Sequence, residues 1–225
     1  MKIICLTQRP IQTLILMHLL GKKNFLFEGV VYYELNKNNP LGFRDEGSSS
    51  WKALQEQCKL LNIPFLKLSK VNSKKSLREL QKMKSDCAIS LIVDTIIKKK
   101  IISVFKKGIY SSHGGIMPKY RGNDCNYWSI LNGDSYVGIT LQKIADGVDT
   151  GKIVKVSKLK FKNYKNINQI SADLYYKFKL YDFVSLFERL KLNKKINFKN
   201  TNSQLGKQYF KMHPALIKIV QEKFK

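Results

Sequence analysis

The apolar pattern of the chain predicts an α/β fold: a doubly wound, mostly parallel sheet with a short C-terminal extension of helix and strand. Three observations point there. The chain opens on a strand–helix–strand unit formed by Lys2–Leu6, Ile11–Leu20 and Phe27–Tyr33. Ala88–Val93 (AISLIV) is a continuous apolar run, as expected of a central strand buried on both faces. Small and chemistry-bearing residues then gather from Tyr110 onward, following a strand end, where open α/β sheets place their ligand crevice.

Taken in order, Lys2–Leu6 is a β-branched run, and Pro10 stands where the first turn of a helix tolerates it. Gly21 stops that helix. The turn between strand and helix lacks the glycine-rich dinucleotide fingerprint, which leaves a bound nicotinamide or flavin without support. Glu34–Ser49 is polar, with Pro40 and two glycines, and reads as a loop at the sheet edge. Ser50 is a candidate cap for a helix reaching about Leu61. Pro64–Leu68 reads as a brief strand, Ser76–Met83 as a helix, Lys98–Lys107 as a basic helix and Gly108–Ser112 as the approach to the next strand end. Val137–Lys143 and Ile153–Lys160 are two further strands. Ile167–Leu192 has the apolar spacing of one long helix, with Ile170, Leu174, Tyr175, Phe178 and Tyr181 recurring along it. A basic linker and a terminal segment, Gln204–Lys225, complete the chain. The size fits one domain over residues 1–192 with an extension, 193–225, packed on it.

Composition narrows the class. Hydrophobic residues make up 44% of the chain and aromatics 11%, enough for an ordinary core. No apolar run approaches a membrane span. The apolar stretch Met1–Leu20 carries Gln8, Arg9, Pro10 and Gln12 and no small-residue cleavage site, so export is not expected. Cys5, Cys58, Cys87 and Cys125 lie far apart, which predicts reduced thiols in a cytoplasmic protein and no metal site. A formal charge of +25 has two readings. Lysines spread from Lys22 to Lys225 look like a bias of the whole chain with a general attraction for anionic small molecules. A dedicated nucleic-acid surface would favour arginine forks with interleaved aromatics and is the less favoured reading.

The chemistry is concentrated between Tyr110 and Val154. His113 follows a strand end and is flanked by Ser111, Ser112, Gly114 and Gly115, glycines that let a ligand approach the backbone. Asp146 and Asp149 occupy a glycine-bearing loop between two strands, and a carboxylate beside an imidazole fixes its orientation and favours its charged form. The plain alternative is a strand-end histidine bonded only to backbone. The Gly-Gly neighbour, the Pro118 turn and the acidic loop favour a functional one. His18, within an apolar helix, reads as a packing residue, and His213 as structural.

These residues, in this order, resemble the folate-dependent formyltransferases. That family includes glycinamide ribonucleotide formyltransferases, methionyl-tRNA formyltransferases and nucleotide-sugar N-formyltransferases. The likeness is carried by Ser111-Ser112-His113, Ile116-Met117-Pro118, Tyr120-Arg121-Gly122, Trp128-Ser129-Ile130, Gly138-Ile139-Thr140 and Gly147-Val148-Asp149-Thr150-Gly151. The resemblance implies a Rossmann-like fold, with 10-formyltetrahydrofolate as co-substrate and an acceptor amine attacking its formyl carbon. His113 would donate to the oxyanion, and Asp149 would support the charged imidazole and help relay the amine proton through water. The pterin would lie against Thr95, Ile96 and Ile97 and against Asp146, Gly147 and Val148. One departure stands out: Ser111 occupies the place of the family asparagine, whose amide donates to the formyl oxygen.

The resemblance also bears on the acceptor. Methionyl-tRNA formyltransferases normally carry a further β-rich domain, for which the stretch after Leu192 looks too short. Glycinamide ribonucleotide formyltransferases commonly have Phe-Pro-Gly where Tyr120-Arg121-Gly122 stands. A nucleotide-linked amino sugar is therefore the favoured acceptor, held by Tyr120, Arg121, Gly122 and Tyr209, with Tyr209 or Trp51 stacking on the base. Lipopolysaccharide biosynthesis is the corresponding process, and a homodimer the corresponding assembly. Glycinamide ribonucleotide, or a non-catalytic role as a basic α/β binding protein, are the alternatives.

Overall fold

The computed structural model describes residues 1–35, 46–199 and 206–224. The chain divides into two compact units, residues 1–111 with 183–195, and residues 112–182 with 196–225. Most of the expected edge loop, Glu34–Ser49, lies outside the described residues, as does part of the basic linker before Gly206.

The first unit alternates strands and helices: β1 (Ile3–Thr7), α1 (Pro10–Gly21), β2 (Val30–Tyr33), α2 (Ser48–Leu60), β3 (Phe65–Leu68), α3 (Lys74–Met83), β4 (Cys87–Leu91), α4 (Lys99–Ile102) and β5 (Gly108–His113). Its strands are parallel and lie in the order β3-β2-β1-β4-β5. The predicted α/β class with a mostly parallel sheet is the observed one. Every residue of β1, β2 and β4 is buried, which explains their unbroken apolar runs. Strand order reverses between β1 and β4. There Gln8, 3% exposed, accepts from the backbone N–H of Val93 (2.9 Å) and donates to Asp94 Oδ1 (2.6 Å). It ties the end of β1 to the irregular backbone after β4.

Several boundaries differ from the sequence reading. Ser50 does not cap α2. Gly47 holds the N-cap position, and Ser50 lies inside the helix, where its hydroxyl donates to the Gly47 carbonyl at 2.8 Å. The cap of α3 is Ser73, which accepts from the Ser76 N–H at 3.0 Å and starts the helix earlier than expected. The basic helix shrinks to the single turn of α4: the β-branched Ile101, Ile102 and Val104 lower its propensity, and the chain leaves it through three-residue turns. His18 is exposed, not packed. It lies on the same side of α1 as exposed Ile11, while Thr13, Leu16, Met17 and Leu20 take the buried side.

The second unit holds β6 (Tyr120–Gly122), α5 (Cys125–Leu131), β7 (Tyr136–Lys143), β8 (Lys152–Lys160), α6 (Ile167–Asp173), β9 (Lys207–Tyr209) and α8 (Pro214–Glu222). Strands β7 and β8 form an antiparallel hairpin, and β6 pairs in parallel with β9. Its core joins Ile130, Val137, Ile139, Leu159, Phe161, Ile170 and Leu174 to Met212 and Val220 from the C-terminal segment. His213 caps α8, its Nδ1 accepting from the Ala215 N–H at 3.2 Å. Beyond α6 the helix widens into a π segment, Leu174–Lys179, before α7 (Leu180–Lys191), so the long helix expected from periodicity exists with an irregular middle. No described helix is long and apolar enough to cross a membrane.

Candidate active site

His113 is the last residue of β5, and its ring is 6% exposed. Nδ1 lies 3.1 Å from Asp149 Oδ2, and Nε2 lies 3.0 Å from the Tyr120 carbonyl. Both ring nitrogens therefore face acceptors. Asp149 takes a left-handed backbone conformation (φ 48°), one that aspartate tolerates better than most residues and that occurs at functional loops. Its carboxylate is held by three donors. The Gly122 N–H bonds Oδ2 at 2.9 Å, the Gln142 amide bonds Oδ1 at 2.8 Å, and His113 approaches Oδ2.

The support is built from backbone approaches that only small residues permit. A Cβ on Gly115 would lie 2.6 Å from both His113 Nε2 and Cys125 Cβ. Thr140 on β7 pins the Gly115–Met117 turn from behind, donating to the Gly115 carbonyl at 2.7 Å and accepting from the Met117 N–H at 3.0 Å. Burial, followed by the nearby Asp149 and Asp124 carboxylates, pushes the Cys125 thiol far above its ordinary range, so it is a neutral packing group. The loop from Asp146 to Gly151 is closed by Thr150, whose hydroxyl donates to the Asp146 carbonyl at 3.2 Å. Asp146 and Gly147 are exposed and Val148 half-buried, leaving that backbone open to a ligand.

The sequence-predicted residues distribute as follows. His113, Asp149, Tyr120 and Gly122 meet directly, the last two through backbone atoms. Ser111 precedes His113 by two residues on β5, so strand alternation aims both toward one face. Arg121 is half-buried and donates to the Gly206 carbonyl at 3.3 Å. Tyr209 packs between Tyr120 and Trp128, ring centroids 5.2 Å from each, and its hydroxyl accepts from Asn132. In the first unit, Thr95, Ile96 and Ile97 follow β4. Ile96 is exposed, and its carbonyl accepts from Asn72 at 2.9 Å. Trp51 stacks on Tyr32, and the Lys67 ammonium lies 3.9 Å from its ring centroid. Gln142 and Gln8 were not singled out from sequence. The only available signal for Gln142 was a polar residue on the β7 face shared with Gly138 and Thr140, in a strand buried on both faces from Val137 to Gln142. Among the described residues no cluster of histidine, cysteine and carboxylate side chains could hold a metal.

A buried histidine oriented by a half-buried carboxylate beside open loop backbone can donate to developing negative charge and pass a proton. Comparison with known proteins gives this arrangement a family context. The family model described as Formyl transferase matches residues 37–176. A methionyl-tRNA formyltransferase of Prochlorococcus marinus (strain MIT 9215) is 32% identical over 155 residues, 65% of this chain and 42% of that protein. The match thus spans less than half the length of that curated relative. Glycinamide ribonucleotide transformylase 1 from Symbiobacterium toebii shares the fold with a TM-score of 0.67 at 11% identity, covering 90% of this chain and 94% of that one. An N-formyltransferase from Helicobacter canadensis, solved with folinic acid and dTDP-3-aminofucose, has a TM-score of 0.64 at 21% identity, covering 92% and 70%.

Proposed function

We propose, from the premise that this chain belongs to the formyl transferase family, that it moves a formyl group from 10-formyltetrahydrofolate to the primary amine of a nucleotide-linked amino sugar. The observation that carries the formyl-transfer reading is the pairing of buried His113 with half-buried Asp149, 3.1 Å apart, beside the open Asp146–Val148 backbone.

The acceptor nitrogen attacks the formyl carbon, the carbonyl oxygen gains negative charge, and the bond from that carbon to N10 of the folate then breaks. His113 donates its Nε2 proton to the oxyanion by exchanging the Tyr120 carbonyl for it. Asp149 holds the ring through Nδ1 and, through water, helps carry the proton from the amine to the departing N10. Ser111, on the same strand face, contributes a hydroxyl donor to the formyl oxygen. The folate ring would lie against backbone of the second unit, at Asp146–Val148, with the Thr95–Ile97 backbone after β4 as its other expected contact, and Tyr120, Arg121, Gly122 and Tyr209 would hold the acceptor. Folate and nucleotide sugars are both cytoplasmic solutes, so the protein works there.

The amino-sugar acceptor is supported by the Helicobacter canadensis neighbour, which was solved with dTDP-3-aminofucose and whose fold covers 92% of this chain. A second reading, formylation of methionyl-tRNA, is supported by the 32% identical relative of that name. Tetrahydrofolate release is to be followed with dTDP- and UDP-linked amino sugars, methionyl-tRNA and glycinamide ribonucleotide in parallel. Release with an amino sugar alone is the expected result, and release with methionyl-tRNA alone refutes the sugar reading. His113→Ala should abolish turnover and leave folate binding in place, whereas unchanged turnover removes His113 from the mechanism. Ser111→Asn should raise the rate if the absent amide limits it.

A further inference from the structure

We infer that Gln142 is a positioning residue for the reaction, setting the torsion of the Asp149 carboxylate and through it the orientation of His113. This rests on the catalytic reading of that pair.

Gln142 is 3% exposed, a burial unusual for an uncharged amide without a task. Its two ends have different partners. Oε1 accepts from the Gly151 N–H at 3.2 Å, and Nε2 donates to Asp149 Oδ1 at 2.8 Å. Because one neighbour is a donor and the other a carboxylate, the amide has a single workable orientation. The side chain spans the loop from Asp149 to Gly151 and holds both of its ends. The hairpin is irregular at this point. Leu141 pairs with Lys155 but Gln142 pairs with Ile153, so the register skips Val154 between Leu141 and Gln142. Bulges of this kind re-aim a side chain and recur beside active sites. Asp149 Oδ2 already receives Gly122 N–H and faces His113, so the Gln142 bond to Oδ1 is what stops the carboxylate from rotating about its own axis.

The chemistry gives a direct test, because Glu has the same shape as Gln and donates only when protonated. Gln142→Glu would place a second carboxyl at the 2.8 Å contact with Asp149, where two carboxylates hold one proton between them. The ionisable groups coupled to the Asp149 carboxylate are His113 from β5, 3.1 Å away, and the Cys125 thiol at the start of α5, which also feels Asp124. The expected signature is low turnover at neutral pH that recovers relative to wild type as pH falls. Gln142→Leu removes the donor at every pH and should lower kcat by about ten-fold or more, the loss appropriate to one hydrogen bond to a charged group, with the folate KM changed less than about two-fold.

The protein has three histidines, so ¹⁵N-histidine labelling resolves the His113 ring, identified by its loss in His113→Ala. In both Gln142 variants the His113 ring signals should move while those of His18 and His213 stay, with thermal unfolding reporting that each variant is folded. Wild-type kcat and unmoved His113 signals in both variants overturn the inference. So does an equal loss in Gln142→Glu and Gln142→Leu at every pH with the ring signals unmoved, which is the mark of a merely structural residue. If wild type turns over no amine, the catalytic reading fails separately, and the ring signals alone still decide whether Gln142 orients the pair.

Discussion

Gly122 is where the C-terminal strand and the candidate active site share one backbone, and replacing it with alanine puts a number on that coupling. Its φ is +94°, which an L side chain adopts at a cost of roughly 1–2 kcal/mol. A Cβ there would also lie 2.1 Å from the Tyr209 carbonyl oxygen, which is backbone and cannot swing away, so β6 and β9 must part. Overpacking of that kind costs about 1–3 kcal/mol. The Gly122 N–H bond to Asp149 and the Asn123 N–H bond to the Tyr209 carbonyl are both disturbed. The expected loss for Gly122→Ala is therefore about 2–5 kcal/mol, or about 4–20 °C in melting temperature for a chain of this length. Two glycines separate the contributions. Gly133 has φ +80° with nothing within 4 Å of its added Cβ, so Gly133→Ala carries only the backbone penalty. Gly114 has neither strain nor neighbours, so Gly114→Ala should melt with wild type. Scanning calorimetry on the three variants checks the order. A Gly122→Ala protein that melts no lower than Gly133→Ala refutes the claim that the β9 backbone presses on β6.

Other expectations follow from single contacts. Thr140→Val leaves the buried Gly115 carbonyl and Met117 N–H without their hydroxyl partner and should cost about 2–5 kcal/mol by urea unfolding, while Thr140→Ser should recover most of it. Val220 is fully buried in the core of the second unit, so Val220→Ala should cost about 1–3 kcal/mol, and a silent substitution would show that α8 is dispensable for that core. Burial raises the thiol of Cys58 from 9.0 to about 11 and that of Cys87 to about 12, and the phenols of Tyr33 and Tyr110 from 10.0 to about 12. Groups raised in the folded state stabilise it fully below their unfolded values and lose that contribution as pH climbs through the folded ones. The melting temperature should accordingly fall between pH 9 and 12, a window drawn from those values. Iodoacetamide at pH 8 should label the four buried cysteines only after denaturation, and rapid native labelling would contradict their burial.

What could be read from the sequence, and what could not, divides by the range of the interaction involved. AISLIV announced β4 because a strand buried on both faces needs nothing but its own residues to say so. His113 and Asp149 were legible because glycines, a proline and a carboxylate cluster locally around them, and glycine at 115 and 122 is demanded by close approaches of the chain. The cap of α2 was misplaced because Gly47 and Ser50 are both plausible caps, and the choice lies in backbone angles that composition does not encode. Gln142 shows the deeper limit. Its neighbours in sequence, Leu141 and Lys143, give no sign of a carboxylate, and its partner sits across a turn whose register is set by a one-residue skip at Val154. A one-residue change of register reverses which face a strand residue takes, so the contact existed only once the hairpin had closed. The same holds for Tyr209: its position between Tyr120 and Trp128 depends on β9 pairing with β6, a long-range choice that neither segment states alone. The candidate catalytic residues advertised themselves through their local setting. Those that hold them in place did so only through strand pairing, which is why Gln142, and not the His113–Asp149 pair it holds, is where the structure adds most.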